Sequence, residues 1–219
     1  MSAQLRLDVL REAKTDLKFL LERGYRRRSA LKLIGDRYQL SRAERSILYR
    51  SVMTEQEASI IRSKHLKLEQ LEKEKVIVDG FNVLNTIEAM LRGEPLILCD
   101  DGVLRDILEM HSKYKPSQLT ARALGEILGL LKRAGVAEIE VLYESQISRS
   151  GEIAGLTRRM LSEIGLRGDA RTAKTVDSLL IKSSEIVATS DSAILLKCRA
   201  FIDVPQNLAS IMGAKVIAL

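Results

Sequence analysis

The sequence predicts an α/β protein in which a small N-terminal helical bundle precedes a three-layer α/β/α domain with a mostly parallel sheet. Residues 1–74 combine apolar residues at helical spacing with two helix-capping signatures. From Val76 onward, short β-branched runs alternate with helical segments, which is typical of parallel strands covered by helices on both faces. We therefore expect a basic helical domain over residues 1–74 and an α/β domain over residues 75–219.

Four short helices are expected in residues 1–74. The first has one apolar face, formed by Leu10, Ala13, Leu17, Leu20 and Leu21. Gly24 is a natural stop for it, and a second helix is expected over about Arg28–Ile34. The third and fourth helices start at the capping boxes Ser41–Glu44 and Thr54–Glu57. The fourth is expected to continue to about Glu74, because no glycine or proline interrupts it.

The rest of the chain is expected to alternate strands and helices. The expected strands are Val76–Val78, Leu96–Cys99, Ile139–Tyr143, Asp169–Ala173, Ile186–Thr189 and Phe201–Ile202. The expected helices cover about Val83–Leu91, Leu104–His111, Leu119–Ala134, Ile153–Ile164, Val176–Lys182, Ser192–Lys197 and Asn207–Met212.

The basic excess of the chain is concentrated in its first third. The formal net charge is +6, and residues 1–75 hold 18 of the 35 Lys/Arg and 11 of the 29 Asp/Glu, which gives +7 to that segment and −1 to the remainder. The segment has the rhythm of a helix-turn-helix, so one interpretation is a nucleic-acid-binding module and the other is a solvated helical surface. The arginines that would attract a nucleic-acid backbone are Arg26, Arg27, Arg28, Arg42 and Arg45.

Composition predicts a cytoplasmic protein without a membrane segment. No uninterrupted apolar run reaches the length of about 18 residues that a spanning helix needs. The first residues carry charges where a signal peptide has its apolar core. The two cysteines, Cys99 and Cys198, lack metal-ligand spacing and are expected to be free thiols.

Acidic residues follow the expected strands at the points where they end. They are Asp79, Asp100, Asp101, Glu144 and Asp191, and Asp177 opens a helix near the same edge. Because the carboxyl ends of parallel strands share one edge of a sheet, we expect these acids to lie together. Neighbouring carboxylates repel one another, which costs free energy unless a cation neutralises them. A site made only of oxygen ligands favours Mg²⁺ or Mn²⁺. For any one acid, a turn or a helix cap is the alternative interpretation.

Other chemistries are poorly supported by the motifs. A phosphatase that works through a phosphorylated aspartate needs a second aspartate two positions after the first, and Phe81 occupies that position. Phosphate-binding loops of the GxxxxGK[ST] and GxGxxG types are absent from the sequence. The chain has only two histidines, His65 and His111, so the sequence gives little support for a Ser-His or Cys-His catalytic pair.

Three motifs together resemble the PIN-like nuclease superfamily, including its NYN relatives: "VIVDGFNVL", "TVDSLLI" and "VATSDSAIL". The resemblance implies a PIN-like fold and catalytic, metal-binding roles for Asp79, Asp177 and Asp191. It also implies that Asn82 orients Asp79 or a bound water. For the second acid of the family pattern, Asp101 is preferred, with Asp100 next.

The whole chain also resembles an uncharacterised, mainly archaeal family in which a helical domain is fused to a PIN-like half. The loop "SQISRSGEI" follows the third expected strand. Arg149 could hold a phosphate there, with Ser148 and Ser150 as hydrogen-bond donors; the alternative is that Ser150 caps a helix.

The leading functional hypothesis is a metal-dependent nuclease, with RNA favoured over DNA as the substrate and the choice between them left open by the sequence. The alternative is a PIN-like module that has lost catalysis and binds RNA or another protein. Aromatic residues make up only 4% of the chain, so base stacking is not expected to be the main contact. The sequence leaves the oligomeric state open, with a homodimer among the options.

Overall fold

The computed structural model describes residues 5–107 and 118–219. Four helices come first: α1 (Leu7–Glu22), α2 (Arg27–Arg37), α3 (Arg42–Ser51) and α4 (Glu55–Arg62). The following elements are β1 (Lys75–Asp79), α5 (Gly80–Leu91), β2 (Leu96–Leu98), β3 (Leu104–Asp106), α6 (Gln118–Arg133), β4 (Glu138–Glu144), α7 (Ser150–Glu163), β5 (Gly168–Ala173), α8 (Val176–Lys182), β6 (Ile186–Ala188), α9 (Ser192–Leu195), β7 (Phe201–Ile202), α10 (Val204–Met212) and β8 (Val216–Ala218).

The main sheet has five parallel strands in the order β5-β4-β1-β6-β7. Val78 of the central strand pairs with Val141 of β4 on one side and Ala188 of β6 on the other. The predicted α/β class and mostly parallel sheet are therefore confirmed. The chain moves outward from β1 through β4 to β5, and then continues on the other side of β1 with β6 and β7. The direction reverses between β1 and β6, where open parallel sheets form a crevice at their carboxyl edge.

Helices cover both faces of this sheet. Successive residues of a strand point to opposite faces. Val76 and Val78 belong to a core with residues of α5, α6, α7 and α10. Ile77 faces the other way, into a core with residues of α4, α8 and α9. The arrangement therefore has three layers. Helix α4 packs in the same core as Ile77 and so belongs to the α/β half. Within the described ranges, no helix is long and apolar enough to span a bilayer.

The β2 strand forms where it was expected, but it belongs to a second sheet. That sheet has the order β3-β2-β8, with β2 antiparallel to β3 and parallel to β8. The predicted helix over Leu104–His111 is wrong for Leu104–Asp106, which is β3; residues 108–111 lie outside the described part. A tight turn explains the difference, because Gly102 adopts a left-handed conformation (φ 78°) and the Cys99 amide donates to the Val103 carbonyl. The β8 strand was not expected at all.

The N-terminal helices share their core with the second sheet. Leu10, Leu17 and Leu48 pack in one cluster with Ile97 and Cys99 of the β2 segment, and both Cys99 and Cys198 are buried free thiols. The capping boxes at Ser41 and Thr54 are both present, as predicted.

The fourth helix is shorter than expected. It ends at Arg62 rather than near Glu74. The Leu66 amide donates to the Phe201 carbonyl at 2.8 Å, and the Phe201 amide donates to the Lys64 carbonyl at 3.0 Å. Pairing with the edge strand β7 thus takes the backbone groups that a longer helix would use, and the His65 ring stacks on Phe201 with centroids 4.7 Å apart.

Candidate functional site

Asp79 ends the central strand β1 at the point where the sheet changes direction. Its side chain is buried, with the residue 3% exposed, and its Oδ2 accepts a hydrogen bond from the Thr189 hydroxyl at 2.8 Å. Its Oδ1 is buried and has no hydrogen-bond partner among the described residues. Burial, followed by the charges of Glu144, Asp191 and Asp177, raises the pKa of Asp79 to about 8. The carboxyl therefore holds its proton at neutral pH unless a cation displaces it.

Glu144 ends the neighbouring strand β4. It is partly buried, and its Oε2 is a second buried carboxylate oxygen with no partner in the described structure. Burial raises the pKa of Glu144, and the charge of Asp177 adds to the increase. Strands β1 and β4 are hydrogen-bonded neighbours, so two unpaired carboxylate oxygens lie at the same edge.

Asp177 and Asp191 complete the acidic group from two helix starts. Asp177 is exposed in the first turn of α8, just after β5. Asp191 follows β6 and caps α9, where its Oδ1 accepts hydrogen bonds from the amides of Ala193 (2.7 Å) and Ile194 (3.3 Å). The alternative interpretation of Asp191 as a helix cap is thus correct. The structure nevertheless brings four predicted acids to one edge, because the charges of Glu144, Asp177 and Asp191 all act on Asp79.

Asn82 contacts the turn after β6 instead of Asp79. Its Oδ1 accepts from both the amide (2.7 Å) and the hydroxyl (2.9 Å) of Ser190. Within the described structure, the role implied for Asn82 is therefore indirect. It fixes the Thr189–Asp191 turn, which in turn presents the Thr189 hydroxyl to Asp79.

Asp100 and Asp101 do not join this group, because β2 ends in the second sheet. Asp101 makes a buried two-pronged ion pair with Arg105, at 2.9 Å (Nη1–Oδ1) and 2.6 Å (Nη2–Oδ2). Asp100 lies 2.7 Å from the Lys14 ammonium and also accepts from the Met53 amide at 3.3 Å. Both carboxylates already have cationic partners, so the structure corrects their predicted position beside Asp79.

Two site-supporting residues were missed by the sequence analysis. Arg105, which binds Asp101, also donates from Nε to the Ser190 carbonyl at 2.7 Å, so the buried ion pair holds the turn beside Asp79. Asp203 follows β7 and is fully buried; its pKa is raised to about 7 by burial, although the amides of Leu104 and Gln206 donate to it. The signal for Asp203 was available, since an acid after a strand is the same pattern as at Asp79.

The loop after β4 differs from the predicted phosphate contact. Arg149 adopts a left-handed backbone conformation (φ 65°) and pairs with Glu152 at 2.8 Å. Ser148 is exposed, and Ser150 is buried as the first residue of α7. Arg149 precedes α7 at its capping position, so Ser150 is not the cap residue. The charge of Arg149 is thus already balanced in this structure.

The predicted backbone-binding arginines fall into two groups. Arg27 is held by Glu57 and by the Val52 carbonyl, and Arg45 by Asp36 at 2.9 Å and the Leu40 carbonyl at 3.0 Å. The other three, Arg26, Arg28 and Arg42, are exposed, and none of them has an ion pair with any residue that the structure describes. The exposed group remains available to an external anion.

The donor set of the acidic group fits a hard divalent cation. All its ligating atoms are carboxylate oxygens, and two of the four unpartnered buried side-chain polar atoms in the described residues belong to it. In residues 5–107 and 118–219, no three His, Cys, Asp or Glu side chains lie in a metal-holding arrangement as they stand.

Two family models match the chain. The domain of unknown function DUF5616 matches residues 68–207, and the protein of unknown function DUF434 matches residues 9–64. An uncharacterised protein of Methanocaldococcus jannaschii is 32% identical over 186 residues, which cover 85% of this chain and 88% of that protein. No solved structure matches the chain significantly.

Proposed function

We propose that this chain, which belongs to the family defined by the domain of unknown function DUF5616, is a nuclease that hydrolyses RNA with Mg²⁺ or Mn²⁺. One observation carries the proposal. Asp79 is a buried carboxyl with a pKa of about 8 and an unpaired oxygen, and three further acids lie around it at the carboxyl edge of a parallel sheet. A strongly perturbed acid with like-charged neighbours in such a crevice is a candidate functional residue.

The contrast with Asp101 supports a functional reason for keeping the Asp79 carboxyl buried without a cationic partner. A buried carboxylate without a partner is destabilising, and the same fold neutralises Asp101 with Arg105. At Asp79 there is no such cation among the described residues, and the neighbouring charges are all negative. An external divalent cation would supply the missing partner.

Each residue of the site has a distinct task in this proposal. Asp79 and Glu144 would hold the cation through their unpaired oxygens, with Asp177 and Asp191 at the outer rim. The Thr189 hydroxyl holds Oδ2 of Asp79 and leaves Oδ1 free. When bound, the cation would activate water and stabilise negative charge on the scissile phosphate.

The proposal includes the assignment of the α/β domain to the PIN-like fold. The parallel sheet and the positions of Asp79, Asp177 and Asp191 after β1, β5 and β6 support a PIN-like domain. The exposed arginines Arg26 and Arg28, on the basic N-terminal helices, support an anionic substrate.

The decisive experiment compares RNA cleavage by the parent protein and by Asp79→Asn, with Mn²⁺ or EDTA. The parent should cleave a single-stranded RNA in Mn²⁺ and not in EDTA, and Asp79→Asn should be inactive. Asp8→Asn, a change of the same kind at a fully exposed carboxylate on α1, is the matched control and should retain activity. Equal cleavage by the parent and Asp79→Asn would attribute the activity to a contaminant and refute the proposal.

A catalytically inactive RNA-binding module is the second candidate. It is favoured by the finding that the acids of the described structure are not yet arranged as metal ligands. Calorimetry separates the two candidates. Failure of the parent to bind Mn²⁺ at millimolar concentration, with RNA binding retained, would select the binding module.

A further inference from the structure

The N-terminal helices expose aromatic rings at one corner. We define the aromatic corner by its rings and arginines: Phe19, Arg23, Tyr25, Arg26, Arg27 and Tyr49. Phe19, Tyr25 and Tyr49 are 55%, 56% and 41% exposed. In the described part of the chain, these are the exposed aromatic residues, whereas Phe81, Tyr143 and Phe201 are buried. On a chain that is only 4% aromatic, three exposed rings near neighbouring helix ends form a candidate interaction surface.

Arginine accompanies each of these rings. The Arg23 guanidinium lies 4.4 Å from the centre of the Phe19 ring, and the Arg27 guanidinium lies 5.9 Å from that of Tyr49. Arg26 is exposed next to Tyr25 in the chain. Aromatic faces interleaved with cations suit a ligand that offers flat rings and negative charges together.

The corner is held in place by contacts among four helix ends. The Arg27 guanidinium donates to the Val52 carbonyl and lies 3.4 Å from the Glu57 carboxylate. The Glu55 amide donates to Glu22 at 2.6 Å, which joins the start of α4 to the end of α1. The rings therefore project from packed helix ends rather than from a long loop.

Helix α4 connects the corner to the acidic group. Its first turn contacts the corner through Glu57. Its buried residues Ala58 and Ile61 pack in the same cluster as Val176, which precedes Asp177 in α8. Helix α4 thus contacts the corner at its first turn and shares a buried cluster with the first residue of α8.

We propose that the aromatic corner binds single-stranded RNA by stacking bases on Phe19, Tyr25 and Tyr49 and by attracting phosphates to Arg23 and Arg26. Single strands fit because their base faces are open, whereas a duplex hides them between neighbouring pairs. This inference deepens the proposed function, on which it rests, by naming the surface that would hold a single-stranded substrate. It differs from the sequence-based expectation that base stacking is not the main contact, because it assigns stacking to the three exposed rings.

The test measures binding apart from cleavage. Anisotropy of a short fluorescein-labelled RNA is recorded in EDTA with the Asp79→Asn protein, as a single strand and as a duplex of the same sequence. The single strand should bind more tightly than the duplex. Tyr25→Ala and Phe19→Ala should each weaken single-strand binding by about 5-fold or more, and Tyr25→Phe should retain it.

Two controls are matched for exposure and charge. Ile211→Ala removes an exposed apolar side chain from α10, and Arg159→Gln removes an exposed charge from α7. Both should bind like the Asp79→Asn protein. Circular dichroism of each variant confirms that helix content is unchanged.

The outcomes separate this inference from the proposed function. Unchanged binding by Tyr25→Ala and Phe19→Ala, or equal affinity for duplex and single strand, overturns the role of the corner even if the parent cleaves RNA. Loss of binding at the corner together with no Mn²⁺-dependent cleavage supports the corner and refutes the nuclease. Failure of the Asp79→Asn protein to bind any single strand also overturns the inference, and it leaves the exposed rings to a protein partner.

Discussion

Replacing Asp79 with Asn is expected to stabilise the metal-free protein at pH 8 while leaving it almost unchanged at low pH. The pKa of this carboxyl is raised from 3.8 to about 8 in the folded protein, chiefly by burial and by the charges of Glu144, Asp191 and Asp177. Between those values the folded protein holds a proton that the unfolded chain has released. The free energy of unfolding of the parent therefore falls as the pH rises through this window.

The magnitude follows from the size of the pKa shift. Each unit of difference between folded and unfolded pKa corresponds to about 1.4 kcal/mol. About two-thirds of the four-unit difference develops between pH 5 and pH 8, which gives a loss of about 4 kcal/mol in the parent. Asn has no charge to bury at either pH, so this part of the loss should be absent from Asp79→Asn.

Urea denaturation in EDTA gives the free energy of unfolding of both proteins at pH 5 and pH 8. The effect is the change between the two pH values in the parent minus the same change in Asp79→Asn. Other acids titrate in both proteins and largely cancel. Asp8→Asn serves again as the control and should follow the parent at both pH values. The same fall in stability for the parent and Asp79→Asn would mean that Asp79 is already ionised in the fold, and the argument for a missing cation would lose its basis.

Three contacts around the site give further predictions. Gly80→Ala should destabilise the fold by about 1–3 kcal/mol in thermal melts, because the added Cβ would lie 2.7 Å from the Leu142 carbonyl; a parent-like melting temperature would mean that the turn can shift. Arg105→Met should cost about 3–5 kcal/mol in urea by leaving Asp101 buried and unpaired, and adding Asp101→Asn should restore part of the loss. Thr189→Val removes the hydrogen bond that lowers the pKa of Asp79, so the pKa of Asp79 should rise further. Mn²⁺ binding, measured by calorimetry at several pH values, should then require a higher pH than in the parent.

The parts of the fold that local patterns determine were predictable. Strands such as Val76–Val78 and Ile186–Thr189 are short β-branched runs, and their carboxyl ends carry the acids that meet at the edge. Parallel pairing then places Asp79 beside Glu144 without any knowledge of the helices between them. Three of the four acids, Asp79, Glu144 and Asp191, could therefore be predicted from strand ends, although the same rule also selected Asp100 and Asp101.

The second sheet was not predictable, because its pairing depends on residues far apart in the chain. Strand β2 pairs with β8, which follows it by more than a hundred positions. Asp101 and Arg105 stand four residues apart, a spacing that favours a helix, yet here the pair bridges a hairpin. Asp101 was placed at the site because β2 was expected to belong to the main sheet, and the predicted helix from Leu104 concealed the role of Arg105 in holding the Ser190 turn.

The β2–β8 pairing also sets an order for the folding of the chain. The Leu96 amide donates to the Lys215 carbonyl, and the Lys14 ammonium donates to the Leu219 carbonyl, 205 positions away. The first helices leave the ribosome early, but the cluster that they form with Ile97 and Cys99 also packs against Ile217. The apolar cluster of these helices therefore stays partly exposed until β8 has been synthesised and packs against it. Because these contacts join residues far apart in the chain, closure of this cluster is expected to be a slow step of folding.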